Sequence, residues 1–485
     1  MNEVNLKNKA FTNLIWRFAE RCGAQVVQLI VSIVLARILA PEAYGTIALV
    51  TVFAQIFQVF VDSGLANALI QKKNADDLDF SSVFYFNVVW CLILYGIIFL
   101  GAPYIAEFYE DPELTAIVRV LCLTVVISGV KNVQQAYVSR TLQFKKFFWS
   151  TLGGTLISAV VGIVMAMLNF GVWALVAQKL INLIVDTLVL WLTVEWRPKR
   201  IFSFKRLKGL ISYGWKLLAS ALIDTLYNNL WQLIIGKVYT ESDLAFYNQG
   251  RQFPNLVVNN INTSIDSVLL PVMSQEQDDK NRVRVMTRKS ITVSTYCMAP
   301  LMMGLFFLAP TVVSVLLTDK WLPCVPYLQI FCVTSMFYPI HTANLNAIKA
   351  MGRSDYFLKL EIIKKIVGLV LLLLTVRISV MAMAYSLLVS SLASQIINSW
   401  PNKRLLNYSY IEQLKDILPN ILLAIVMGIV VSFAGNLPLP KIVLLIIQIV
   451  IGVIVYLLGS IVTKNKSFEY LLGIIKPYLL KIKKK

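Results

Sequence analysis

Apolar runs of about 20 residues or more recur from residue 11 to residue 463, separated by short polar breaks. Each is long enough to cross a hydrocarbon core of ~30 Å as a helix. About fourteen stand out: 11–38, 43–70, 82–106, 114–138, 147–168, 171–194, 209–236, 243–272, 290–317, 323–348, 356–376, 379–399, 414–434 and 441–462. A soluble fold of 485 residues has no room to bury so much apolar surface, at 58% hydrophobic residues and a mean hydropathy of +0.70. The pattern predicts an all-α integral membrane protein. Met1–Ala10 is polar and the first run is a full span without a small-residue cleavage site, so it reads as a span and not as a leader.

The chain also matches itself. "NLIWRFAERCGAQ" (13–25) aligns with "SYGWKLLASALID" (212–224), and "VDSGLANALIQ" (61–71) with "IDSVLLPVMSQ" (265–275). The offsets are 199 and 204, and the turns "LAPEAYG" and "YTESDLAFYN" between the matches differ by about three residues, which roughly accounts for the drift. Two matches in order point to duplication. Six spans separate equivalent helices, so both copies share one orientation and the axis between them runs along the membrane normal. The expected organisation is a six-helix lobe over 1–200, a second over 201–400, and two additional transmembrane helices with a basic amphipathic tail over 401–485.

Several spans carry a polar stripe. At 100° per residue, Asn248, Arg251, Gln252, Asn255, Asn259, Asn262, Thr263 and Asp266 fall on one face of the eighth span, which Pro254 is expected to kink. Its repeat partner carries Thr51, Gln55, Gln58 and Asp62. The first span shows Arg17, Arg21, Gln25, Gln28 and Ser32; its equivalent shows Lys216, Ser220, Asp224, Tyr227 and Trp231. Lys131, Lys179, Asp186, Lys364 and Lys365 add charge at depth. A central charge costs about 2.5–3.5 kcal/mol on insertion scales, so these groups must face one another or water. One alternative is that pairs such as Glu20–Arg21 or Lys179–Asp186 only lock helices together. Matched stripes in both halves favour a hydrated cavity between the lobes. Its basic, amide-rich lining suits an anionic, hydroxyl-rich ligand, with Arg and Lys for phosphate and Asn and Gln for sugar.

The net charge of +19 changes the picture less than its size suggests. With the N-terminus placed inside, about 31 Lys and Arg fall in inner segments against 5 in outer ones. That asymmetry sets orientation, with both termini cytoplasmic, and gives no reason to invoke nucleic acid. The terminal "SFEYLLGIIKPYLLKIKKK" is expected to lie along the inner leaflet against anionic head groups. The six cysteines show no metal-type spacing and read as buried thiols.

"VLARILAPEAYGTIALV", "DSGLANALIQKK", "YEDPELTAIVRVL", "SRTLQFKKFFW", "LNFGVWALVAQ" and "EWRPKRIFSFKRLKGLISYGWKLLASALI" carry a resemblance over residues 11 to about 400. The chain resembles the polysaccharide-transporter branch of the MOP (multidrug/oligosaccharidyl-lipid/polysaccharide) superfamily. These are the Wzx-type flippases of O-antigen, capsule and exopolysaccharide synthesis, and the likeness is to the subgroup that includes colanic-acid exporters. The resemblance implies two six-helix bundles forming a V, as in MATE proteins, and an alternating-access flip. It implies a bacterial inner membrane and an undecaprenyl-diphosphate-linked oligosaccharide moved from the cytoplasmic to the periplasmic leaflet. It also implies a polysaccharide polymerase and a chain-length regulator as pathway partners. The basic lumen of the family corresponds by helix position to Arg17, Arg21, Lys216 and Arg251, with Gln25, Gln28, Asp224, Gln252, Asn255 and Asn259 beside them. Asp62 and Asp266, at equivalent points, are candidates for H⁺ or Na⁺ coupling; no other cofactor is expected.

An enzyme acting on similar lipid-linked sugars is the weaker reading. The outer loops are short, the only histidine, His341, lies in an apolar span, and no phosphate-binding GxxxxGK[ST] loop occurs. A MATE-like antiporter for drugs or organic cations is the serious alternative, and anion against cation binding in the lumen separates the two.

Overall fold

The computed structural model describes residues 3–62, 65–72, 74–435 and 437–482. The side chains of residues 3–15, 17–19, 21–22, 212–214, 216–217, 263–264, 267–268, 474–475, 477–482 and a few isolated positions lie outside that description. All regular structure among the described residues is helical, and the chain clusters into two compact units, Met1–Ala245 and Phe246–Lys485.

Unit 1 holds α1 (Glu3–Ile38), α2 (Pro41–Val61), α3 (Leu65–Gln71), α4 (Asp77–Tyr109), α5 (Glu113–Leu121), α6 (Leu123–Arg140), α7 (Phe144–Met167), α8 (Val172–Thr193) and α9 (Phe204–Val238). α10 (Glu241–Gln275) begins in unit 1 and continues into unit 2. Unit 2 adds α11 (Lys280–Leu316), a 3-10 turn at Asp319–Cys324, α12 (Val325–Met336), α13 (Tyr338–Ala350), α14 (Ser354–Thr375) and α15 (Val380–Leu405). It ends with α16 (Tyr410–Ala434), α17 (Lys441–Val462) and α18 (Lys466–Ile482).

Every apolar run read from the sequence is occupied by helix, but three runs are broken. The second stops at Val61 and resumes at Leu65, the fourth is divided at Cys122, and the tenth becomes the 3-10 turn, α12 and α13. Pro339 in the first turn of α13 accounts for the last break, since proline starts a helix well and continues one badly. Nine stretches among the described residues are long and apolar enough to cross a membrane. The helices outside that set include α1, α9 and α10, which carry three of the four polar stripes, and α14, which carries Lys364 and Lys365. α10 runs on through Pro254 and Pro271 without ending.

Helix starts follow side-chain capping. Asp76 and Asp79 form a capping box at α4, Ser409 and Glu412 another at α16, and Ser203, Asp279 and Ser379 cap α9, α11 and α15. Close helix pairs meet through small residues, as expected where lipid supplies no hydrophobic drive. Gly154 and Gly162 let α7 lie on Asn182 and Gln178 of α8. In unit 2, Gly428 of α16 receives the ring of Phe307 of α11, and Gly452 and Gly459 seat α17 on α16. The last two spans are thereby built into unit 2 along α11. Asn420 Nδ2 adds a bond to the Thr292 carbonyl at 3.0 Å.

Candidate functional site

In unit 1, charges at membrane depth are partnered inside the bundle. Lys131 of α6 pairs with Asp186 of α8, their side chains 12% and 10% exposed. Lys179, on the same helix as Asp186, donates to Thr51 Oγ1 of α2 at 3.0 Å. The Lys179–Asp186 lock weighed from the sequence therefore does not form. Seven residues on one helix are two turns, about 10.5 Å, a span too long for an ion pair.

Asn132, next to Lys131, donates to the carbonyl of Val61 at 2.9 Å, satisfying a group that the end of α2 leaves open. Asp62 follows at once and accepts from Gln58 at 3.2 Å. Glu20 of α1, largely buried, accepts from Thr151 of α7 at 3.4 Å. A cavity of about 350 Å³ opens on Glu20, Asp62, Asn132, Gln135, Ser139 and Thr151, with Phe147 as an apolar wall. Two carboxyls, two amides and two hydroxyls in one recess can hydrogen-bond a hydroxyl-rich ligand or hold a cation.

The other expected residues of this unit divide as follows. Gln25 is half-buried and Gln28 exposed on α1, and Asp224 is exposed on α9. Arg17, Arg21 and Lys216 have side chains outside the described residues.

Unit 2 carries the polar stripe of α10. Arg251, Gln252 and Asn255 are half-buried and successive along one face; Asn259 is exposed and Asn262 buried. Arg251 lies beside the hydroxyl of fully buried Tyr247. Asp266 accepts from Asn346 Nδ2 of α13 at 2.6 Å. Thus an asparagine of α6 holds the end of α2 at Val61 in unit 1, and an asparagine of α13 holds Asp266 within α10 in unit 2. Neither asparagine was among the residues singled out from the sequence. The available signal was a cluster of amides in each run, Asn132 with Gln134 and Gln135, and Asn346 with Asn344. A second network missed from sequence, Asn344, Ser399, Asn402 and Gln413, is fully buried and ties α13, α15 and α16 together.

The turns that open α2 and α10 also meet, wholly within unit 1. Glu42, second residue of α2, accepts from Ser242, second residue of α10, at 2.6 Å. Gly45 lies so close to Glu241 that a Cβ there would stand 2.6 Å from its carbonyl carbon. Lys237 pairs with Glu110 at 2.7 Å, and Tyr109 donates to the Leu233 carbonyl at 3.3 Å, so α4 and α9 are joined at the same end. Lys237 holds the Glu110 carboxyl below the usual carboxylate range, through a hydrogen bond and its charge.

Apolar helices of spanning length and a stripe of amides and charge along α10 define a helical multi-pass membrane protein. Its fold is that of the MOP-type transporters. The Lipid II flippase MurJ in an inward closed conformation superposes with a TM-score of 0.74 at 16% identity, over 93% of this chain and 99% of that one. An inward-facing multidrug resistance MATE transporter of the MOP superfamily gives 0.63 at 15% identity, over 79% and 94%.

The chain belongs to the polysaccharide biosynthesis protein family, whose model matches residues 34–326. It is 24% identical to the succinoglycan biosynthesis transport protein ExoT of Rhizobium meliloti, over 70% of this chain and 69% of that relative. It is 23% identical to the lipopolysaccharide biosynthesis protein WzxC of Escherichia coli, over 74% of each.

Proposed function

We propose that the protein is a flippase that moves an undecaprenyl-diphosphate-linked oligosaccharide from the cytoplasmic to the periplasmic leaflet for polysaccharide synthesis. The stripe on α10 is the observation that carries this reading. Arg251, Gln252 and Asn255 succeed one another, half-buried, on a long helix of a membrane protein. Guanidinium suits a diphosphate and neighbouring amides suit sugar hydroxyls. The relatives support it: ExoT is named as a transport protein of succinoglycan biosynthesis and WzxC as a protein of lipopolysaccharide biosynthesis. The lipid flippase MurJ is also the nearer of the two folds compared.

In this reading the lobes over 1–200 and 201–400 alternate access, both termini are cytoplasmic, and the membrane is the bacterial inner membrane. Arg17, Arg21, Lys216 and Arg251 engage the diphosphate, while Gln25, Gln28, Asp224, Gln252, Asn255 and Asn259 line the path. Export of an anion against an inside-negative potential gains about 2.3 kcal/mol per charge per 100 mV, so transfer needs no nucleotide. Asp62 and Asp266 add a place for H⁺ or Na⁺, and a polymerase and chain-length regulator act on the product.

The test uses purified protein in liposomes carrying fluorescent undecaprenyl-diphosphate-oligosaccharide under an imposed potential. Wild type transfers the lipid between leaflets, and Arg251→Ala and Arg17→Ala reduce transfer at least about ten-fold, the loss of one charge-assisted contact. Asp62→Asn or Asp266→Asn removes the dependence on an ion gradient. No transfer by wild type, with efflux of an organic cation from the same vesicles, overturns the reading in favour of the MATE-like antiporter.

A further inference from the structure

The segment between α8 and α9, "VEWRPKRIFS" at 194–203, joins two membrane helices and is crowded with basic and aromatic residues. The basic groups of this segment and of the first turns of α9 fall into two sets. Arg197 turns back on α8, donating to the carbonyls of Trp191, Val194 and Trp196, with its guanidinium 5.5 Å from the Trp191 ring centroid. Lys199 pairs with Asp77, and Arg206 with Asp76 at 2.7 Å and Asp79 at 3.4 Å. The backbone is held as well: Ser81 Oγ accepts from the amide of Lys199 at 3.0 Å and Ser82 Oγ from that of Ser203 at 2.9 Å. Trp196 is buried against Phe80 and Tyr137. One side of the segment is thus fastened to α4, α6 and α8.

The other side is left open. Arg200, Lys205 and Lys208 are exposed and, among the described residues, take no carboxylate partner. Interleaved with them, Ile201 is 39% exposed, Phe202 52% and Phe204 67%. Three large apolar side chains within four residues, on a backbone pinned by hydrogen bonds, are expensive to hold in water. Tethered between the end of one span and the start of the next, they stay within a few residues of the bilayer surface. Aromatic rings at head-group depth with cations between them match the inner-leaflet interface, whose anionic lipids attract lysine and arginine.

We infer that residues 200–208 form an anchor for anionic phospholipid, with Arg200, Lys205 and Lys208 on the lipid phosphates and Ile201, Phe202 and Phe204 inserted among the upper acyl carbons. The occupant is bulk anionic lipid of the inner leaflet, so the site differs from the α10 stripe and does not depend on the transported cargo. Because the segment is the covalent link between α8 and α9, its seating in the leaflet couples lipid charge to the position of α9.

Hydrogen–deuterium exchange of the full chain in nanodiscs reads this locally. Wild type in phosphatidylcholine with phosphatidylglycerol is expected to exchange amides 200–208 several-fold more slowly than in phosphatidylcholine alone. Arg200→Ala/Lys205→Ala/Lys208→Ala is expected to abolish that difference, since each basic residue contributes about five-fold to partitioning on an anionic surface. Exchange in α4 and α8 should stay unchanged, showing that the fold is intact. Phe202→Ser/Phe204→Ser should speed exchange of the segment in both lipids while keeping a residual response to charge. Equal exchange of wild type in the two lipids, or lipid-dependent protection that survives the triple substitution, overturns the inference. Flipping activity does not enter these readouts, so their failure is separable from failure of the proposed function.

Discussion

Gly45→Ala tests whether the contact of the turns that open α2 and α10 sets the conformation of this end of unit 1. A methyl at Gly45 would meet the Glu241 backbone at 2.6 Å from the carbonyl carbon and 2.9 Å from Cα, against an ordinary contact of 3.4 Å or more. The opposing atoms are backbone at the start of α10, so no side chain can swing aside; the turns must part by roughly an ångström. Overpacking of this kind costs about 1–3 kcal/mol, or roughly five-fold to over a hundred-fold in the population with the turns in contact. Gly96→Ala on α4 is the control, because nothing lies within 4 Å of a Cβ there. The assay is the rate of cross-linking between Glu42→Cys and Ser242→Cys in membranes, with and without Gly45→Ala. Of the six native cysteines, Cys91, Cys122, Cys324 and Cys332 are buried, and Cys297 is exposed where the sequence predicts a buried thiol. The side chain of Cys22 lies outside the described residues, so Cys22→Ser and Cys297→Ser go into the background. The expected result is slower cross-linking by the stated factor at unchanged melting temperature. An unchanged rate would refute the reasoning, because the turns would then not be held together by this packing.

Lys131→Ala should destabilise the protein by about 3–5 kcal/mol by leaving Asp186 buried without a counter-charge, whereas Lys131→Met/Asp186→Leu should recover most of that. Denaturation of both variants in detergent, followed by helical signal, checks this, and equal loss in both would show that packing and not charge holds α6 to α8. At the start of α4, Arg206 holds the Asp76 carboxyl below its ordinary value of 3.8, chiefly by hydrogen bonding. A depressed folded pKa gives stability that is present above the unfolded value and lost as pH falls through the folded one. Melting temperature should therefore fall below pH 3.8 more steeply in wild type than in Arg206→Ala, and parallel profiles would exclude the pair as a source of stability.

The run lengths alone determined that this chain is helical and crosses a membrane many times, because the bilayer sets the length of a span and forbids unpaired backbone within it. They also located the polar stripes, since a charge in an apolar run is visible wherever its partner lies. The partners themselves were decided by tertiary structure. Lys131 and Asp186 stand 55 residues apart, and Asn346 and Asp266 stand 80 apart, so no helical periodicity relates them. Lys179 and Asp186 looked like neighbours in sequence and are not, because two turns of helix separate them. The repeat drew attention to Asp62 and Asp266, yet the groups that hold them differ: Gln58 on its own helix for one, Asn346 from another helix for the other. The approach of Gly45 to Glu241 was likewise invisible, since a glycine in a sequence does not say which backbone comes near. Periodicity reports how one helix divides its faces; which faces meet depends on how side chains from distant parts of the chain fill the space between them.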